Sequence, residues 1–387
     1  MPSFTLPSLS FVAWSLLLAG GCATVGEPAR AGGVVRRYQQ GRAGGYANVY
    51  FFETASGPII VDVPLTKSEA KALRKGMDAP YRIFITAARA ERFASLDVMR
   101  DGDVLSSTTP AIATEIKDYG GNRLGAARKR AGNDVASEIT PPSPTVEERT
   151  HAMLGEVEVE LLPLGPAESE SSLAVYLPKT GELITGDIVA GGQHLDLTWG
   201  RSVVWQDRIN ELKALSPKWI YPGHGKPGGP ELLDEATAYL KFFHDVVAER
   251  VKPGAPAKIS PADKKAITQQ LTAKYPKLGR ADLLDRSIPA EYAVQLQALP
   301  PSATPDGTGA PSTGPTTPTT APGAGTTSNA PGAPATSTTP GTATAEKTAK
   351  PADKTAKTAD SKDNELLNGA KPAKKSGKPK KKIDKDK

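Results

Sequence analysis

Short β-rich runs alternate with helical runs up to about residue 300, and the β-rich runs fall into two groups. In the first, "NVYFFET" (48–54) and "PIIVDV" (58–63) are joined by "ASG" and read as a hairpin, and "RIFIT" (82–86) and "DVLSS" (103–107) follow. In the second, "VEVELLPLG" (157–165) alternates apolar and polar side chains, "SLAVYLPKTGELITGDI" (172–188) reads as a hairpin turned by "PKTG", and "KWIYPG" (218–223) closes the set. Hairpins exclude a purely parallel sheet. Two such groups, each interleaved with helices, predict an α/β chain of two packed mixed sheets with helices on the outer faces.

The helical runs carry their own punctuation. "TKSEAKALRKGM" opens with Thr66 and has Glu69 three residues on, a capping-box start. A helix is expected around "AERFASLDVM" (90–99), and another over 110–130 with a break at Gly120-Gly121. Later helices are expected over 203–215 and 229–251, with shorter ones at about 261–274 and 281–298.

Composition matters at the two ends. Residues 301–345 are almost entirely Pro, Thr, Ala, Gly and Ser, too poor in apolar side chains to offset the entropy of ordering, and are expected to be a disordered linker. Residues 346–387 hold 14 Lys against 7 Asp or Glu, so the whole chain's net charge of +6 belongs to this tail. The domain before it is close to neutral, and the basic balance is no argument for nucleic-acid binding. At the other end, "FVAWSLLLAGGC" is an apolar run too short to span a bilayer and suits the core of a signal peptide over 1–22. Cys22 is the chain's one cysteine, so no intrachain disulfide can form. Residues 23–45, rich in Gly and Ala, read as a tether, which leaves 46–300 as the globular domain.

"LAGGC" resembles the lipobox of bacterial lipoproteins, which implies lipidation at Cys22, export, and anchorage in the envelope, with Ala23 favouring the outer membrane facing the periplasm. The order of elements over roughly 46–250 resembles the metallo-β-lactamase superfamily. The carrying motifs are "TGD" closing a hairpin at 185–187 and "PGHG" at 222–225. The resemblance implies an αββα four-layer sandwich and, in typical members, a strand-to-helix turn His-x-His-x-Asp-His that holds two zinc ions with later histidines and a bridging aspartate.

Carried over by position, that ligand set falls on Ala87, Arg89, Glu91, Arg92, Glu168, Asp187 and His224. Asp187 and His224 keep the family's residue types, whereas Ala87, Arg89 and Arg92 offer no ligand atom. The expectation is a pseudoenzyme: a non-catalytic envelope-binding or scaffold lipoprotein, without a cofactor, in which the arginines and carboxylates pair where metal once held the loops. Two alternatives stay open. In one, the arginines point to solvent over an empty pocket; in the other, one divalent metal (Mn, Mg or Zn) sits on Glu91, Glu168, Asp187 and His224 and supports an atypical hydrolase acting on β-lactams, lactones, thioesters or other esters. His224 could also act without metal. Asp62, His194 and Trp199 are candidates to line a ligand pocket. His151 and His244 receive no role. The expected partners are the membrane, through the lipid on Cys22, and anionic envelope polymers, through the Lys-rich tail.

Overall fold

The computed structural model describes residues 33–77, 80–100 and 104–300, and the backbone of residues 27–28. The expected signal peptide with Cys22, the first part of the expected tether (residues 23–32, apart from the backbone of 27–28), the linker and the Lys-rich tail lie outside the described residues.

The first sheet runs in the order β1 (Glu27–Pro28), β2 (Arg36–Gln39), β3 (Asn48–Phe52), β4 (Ile59–Val61), β5 (Arg82–Phe84) and β6 (Leu105–Ser107). Neighbours are antiparallel as far as β4 and parallel from β4 to β6. The second sheet contains β7 (Thr150–Leu154), β8 (Val157–Leu164), β9 (Ser172–Leu177), β10 (Glu182–Ala190) and β11 (Trp219–His224), in the order β11-β10-β9-β8-β7. Its β10–β11 pair is parallel and its other pairs are antiparallel. Helices α1 (Lys67–Lys75), α2 (Ala90–Phe93), α3 (Leu96–Met99) and α4 (Pro110–Ala131) belong to the first half, and α5 (Ser202–Ala214), α6 (Glu231–Ala248), α7 (Pro261–Lys274) and α8 (Leu284–Gln297) to the second. The fold is the expected four-layer αββα sandwich.

Strand periodicity builds the layers. In β9, Leu173, Val175 and Leu177 join the core that links both sheets, while Ala174 and Tyr176 face a second core beneath α5–α8. β8 divides in the same way, with Val159 and Leu161 inward and Leu162 and Leu164 outward. Successive side chains of a strand point to opposite faces, so a sheet covered on both sides is apolar at nearly every position.

Four local expectations change. Residues 33–45, read as tether, instead begin the domain: β2 pairs with β3, and Val35 and Tyr38 are buried in the core. Helix α4 runs through Gly120-Gly121 without a break. A Cβ at Gly120 would meet Phe93 and Ile139 at ordinary contact distance (3.4 Å), so the helix carries this glycine without a break and without requiring it. "AERFASLDVM" forms two short helices, α2 and α3, because Ser95 turns its hydroxyl onto the carbonyl of Pro64 between them. Strand β7 was not anticipated; it is the sheet edge, where polar and exposed residues such as His151 and Met153 blur the apolar pattern. The capping box at Thr66 forms on one side: Thr66 Oγ1 accepts from the Glu69 amide, while the Glu69 carboxylate takes the Thr66 hydroxyl (2.6 Å) and the Gly41 amide (2.7 Å).

Candidate functional site

The ends of β4, β5, β10 and β11 converge. In α/β sheets this carboxyl end of the strands is where ligand sites form. Asp62 follows β4, the turn 85–89 follows β5 and feeds α2, Asp187 lies within β10, and His224 is the last residue of β11. The sheets are stitched here by the Leu173 amide donating to Thr86 O (2.9 Å) and by a backbone bridge between Ala47 and His224.

Arg92 occupies the centre and is fully buried (0% exposed). Its Nε donates to Asp187 Oδ2 (3.1 Å) and its Nη2 to Asp187 Oδ1 (2.5 Å), a two-pronged pair. Nη2 also reaches Gly223 O (3.0 Å), and Nη1 reaches Asn48 O (2.8 Å) and Asp62 Oδ2 (3.3 Å). One side chain thus joins β3, the end of β4, β10 and β11. Gly223 is required for this approach, since a Cβ there would lie 2.4 Å from Asp187 Oδ1 and 2.6 Å from Arg92 Nη2. His224 Nδ1 is 2.9 Å from Asp187 Oδ1, an acceptor that places the proton on Nδ1.

Arg89, one turn earlier, is 21% exposed. Its Nε donates to Glu168 Oε2 (3.2 Å) and lies 3.5 Å from Asp187 Oδ2, and its Nη1 donates to Asp196 Oδ2 (2.7 Å). Glu168 also accepts from Ser172 Oγ (3.0 Å), and Asp196 is gripped from outside by Arg286 (2.9 and 2.5 Å). Glu91 lines the cleft above without an ion pair among the described residues. Ala87 is buried and apolar.

Charge and burial compete in this cluster. Burial opposes ionisation of Asp187, yet Arg92, His224 and Arg89 hold its carboxyl well below the usual carboxylate range. Asp196 is likewise held low against its burial, by Arg89 and Arg286. Burial wins at Glu168, which is raised despite Arg89, and at Asp62, which is pushed up to about 7 against the pull of Arg92 and the Thr86 hydrogen bonds. Both guanidinium groups are raised by their carboxylates and stay charged.

Two pocket candidates lie elsewhere than expected. Asp62 does not line the cleft. Its backbone is left-handed (φ 68°), and its carboxylate is taken by the Thr86 amide (2.8 Å) and hydroxyl (2.8 and 3.0 Å) behind Arg92. His194 is buried in the second core, its Nδ1 3.0 Å from the Tyr239 hydroxyl, and burial lowers its pKa. Trp199 does line the cleft, with the Arg201 guanidinium 5.2 Å from its ring centre. His151 is exposed beside Glu160 (3.0 Å), and His244 joins Ser202, Glu291 and Gln295 in a buried network that docks α8 against α5 and α6. Asp196 and Asn48 escaped the sequence reading. Asp196 belongs to no motif, and Asn48 meets Arg92 through its backbone carbonyl, which any residue type carries, while its Nδ2 donates to Pro222 O and Gly225 O (2.9 Å each) around the His224 turn.

A family model described as the metallo-beta-lactamase superfamily matches residues 104–224. The structure resembles a beta-lactamase domain protein from Burkholderia ambifaria at a TM-score of 0.53, with 15% identity over 71% of this chain and 91% of that one. The chain has the metallo-β-lactamase fold, and the family model's match covers its middle third. A metallo-beta-lactamase from Pontibacter korlensis aligns with 18% identity over 50% of this chain and 87% of its own, at a TM-score of 0.43, and the DIM-1 metallo-beta-lactamase aligns with 18% identity over 54% and 92%, also at 0.43. No curated protein matches. The Burkholderia likeness, at 15% identity, shows the fold alone and leaves activity to the site.

The superfamily's zinc pair does not fit the residues here. Ala87 and the two guanidinium groups offer no lone pair. Asp187 already carries a two-pronged arginine, whose Nη2 lies 3.4 Å from His224 Nδ1. A divalent ion among them would face a fixed positive charge within the same shell of carboxylates. Among the described residues, no three His, Cys, Asp or Glu side chains are arranged to hold a metal ion.

Proposed function

We propose that the protein is a binding or scaffold module on the metallo-β-lactamase fold, independent of zinc and anchored at the bacterial cell envelope. One observation carries the reading: the Arg92 guanidinium lies against Asp187 and Gly223 O and supplies there the positive charge that metal would otherwise bring. The lipobox-like Cys22 supports an outer-membrane anchor, and the Lys-rich tail supports a second hold on anionic envelope polymers. Two tethered attachments raise avidity through effective concentration.

The test is metal content by mass spectrometry on protein purified without a histidine tag and dialysed against zinc. A panel of nitrocefin, lactone and thioester substrates, with and without zinc, accompanies it. The expected result is far less than one metal per chain and no zinc-dependent turnover. Stoichiometric zinc with zinc-dependent hydrolysis would overturn the reading.

A second reading rests on His224, which lines the cleft and is oriented by Asp187 as a general base would be. It makes the protein a metal-free hydrolase. Turnover that persists in chelator and disappears in His224→Gln would favour it.

A further inference from the structure

Above Arg89 the domain opens into a cleft of about 680 Å³, within the range of small-ligand sites. Its walls come from the loop before β3, the cleft face of α4, the turn at Arg89, the 196–199 loop and the segment entering α8. Most of the cations lining it are already matched. Arg89 has Glu168 and Asp196, Arg123 has Glu115, Arg280 has Asp282, and Arg286 has Asp196. Arg42 and Arg130 also line the cleft and have no ion pair among the described residues. Arg130 stands seven residues beyond Arg123 on α4, two turns along the same face, and the small side chain of Ala126 between them keeps the wall open.

The second independent feature is aromatic. Tyr46 is 54% exposed and lines the cleft, although it sits at φ 59°, directly after Gly45 at φ 66°. A bulky L-residue is strained in the left-handed region. The loop holds it there through the Tyr46 amide on Gly41 O (3.2 Å) and Gln39 Nε2 on Tyr46 O (3.3 Å). Burial in the core does not compensate this ring. Trp199, 40% exposed, lines the same cleft from the second half of the chain.

We infer that this cleft binds a small phosphate ester carried on a ring, with the phosphate on Arg42 and Arg130 and the ring against Tyr46. Guanidinium groups match phosphate through paired N–H donors, and aromatic faces accept sugar or base rings. The inference deepens the reading of the domain as a binding module and rests on it.

The experiment is calorimetric titration of the purified chain, in chelator, with glucose 6-phosphate and AMP as probes. Inorganic phosphate, glucose and adenosine serve as controls. At least one ester should bind about tenfold or more tightly than inorganic phosphate, more weakly at high salt, and its identity distinguishes a sugar from a base as the ring. The double variant Arg42→Gln/Arg130→Gln should lose about tenfold or more in affinity with its Tm unchanged. Tyr46→Gly should lose affinity while its Tm holds or rises, because glycine relieves the left-handed backbone; a purely structural tyrosine would lower the Tm and leave affinity alone. Failure of both esters at millimolar concentration, or wild-type affinity in the double variant, overturns the inference. Metal content measured on the same sample separates the two claims. Ester binding by protein that carries stoichiometric zinc overturns the metal-free reading and leaves this site standing, whereas zinc-free protein that binds neither ester overturns this site alone.

Discussion

Arg92 and Arg89 lie three residues apart on one turn, carry the same charge and share Asp187, yet they belong to different parts of the molecule. Arg92 is sealed, and its donors reach two carboxylates and two backbone carbonyls drawn from both sheets. Arg89 is partly open to water, and its partners Glu168 and Asp196 sit on loops that frame the cleft. The difference teaches that an arginine's surroundings, and not its charge, decide whether it is a cross-link or a site residue. A guanidinium whose remaining donors meet main-chain carbonyls is locked by the fold. One whose partners are loop carboxylates with outside partners of their own can exchange them.

The largest expected effect breaks the locked end. Arg92→Ala would leave the Asp187 carboxylate buried without its two-pronged partner and strip Asn48 O and Gly223 O of a donor. Removing one partner of a buried pair costs about 3–5 kcal/mol. Urea denaturation should show a loss of that size, and a loss below about 1 kcal/mol would mean that the centre tolerates water and that the comparison between the two arginines fails.

The next effect is a pH dependence behind the same arginine. Asp62 is pushed up to about 7 by burial, so between about pH 4 and 7 the folded protein retains a proton that the unfolded chain has released. Ionising Asp62 therefore works against the fold, and its contribution to stability falls as pH rises through that window, by at most about 1.4 kcal/mol per pH unit. Asp187 has the opposite sign: held low by Arg92, it contributes stability above the usual carboxylate range and loses it as pH falls below. Asp62→Asn, in a backbone conformation that Asn accepts, should flatten the decline between pH 5 and 7 and leave the acid-side loss in place. Parallel stability curves for the two proteins across that range would show that Asp62 is ionised throughout.

The fold was legible because the sandwich depends on period-2 runs and on turns such as "PKTG", both of which survive in a sequence of any family. Edge elements were less legible: β2 is embedded in Gly- and Ala-rich surroundings, and β7 exposes every second side chain to solvent. The candidate site was legible as a pattern of Ala87, Arg89 and Arg92 at positions where the family resemblance implies imidazoles, and these arginines do pair with Glu168 and Asp187 in the fold. The identities of their other partners were not. Asn48 and Gly223 contribute carbonyls, and which carbonyl faces a guanidinium depends on the approach of two sheets. Asp62 and His194 were misplaced for a related reason, because sequence position puts a residue near a loop but does not say which face its side chain takes. The left-handed backbone of Asp62 turns it inward, and Tyr239 draws His194 into the second core.

The smallest expected effect sharpens the comparison most. Lysine keeps the charge of arginine but concentrates it at one ammonium and loses the planar fork. At position 89 the ammonium can remain beside Glu168 or Asp196, Arg286 still holds Asp196, and water can reach the donors that are lost. Arg89→Lys should cost no more than about 1 kcal/mol, in the range of partly exposed pairs. At position 92 an ammonium cannot serve Asp187, Asp62, Asn48 O and Gly223 O together, and each buried acceptor left without a donor costs about 1–3 kcal/mol. Arg92→Lys should therefore approach the loss of Arg92→Ala, although the charge is kept. Equal losses in the two lysine variants would show that charge alone holds the cluster and that the fork at Arg92 is incidental. A several-fold larger loss at 92 would show that this turn uses geometry on its inner side and charge on its outer one, so that the cleft-facing arginine is free to change partners when a ligand arrives.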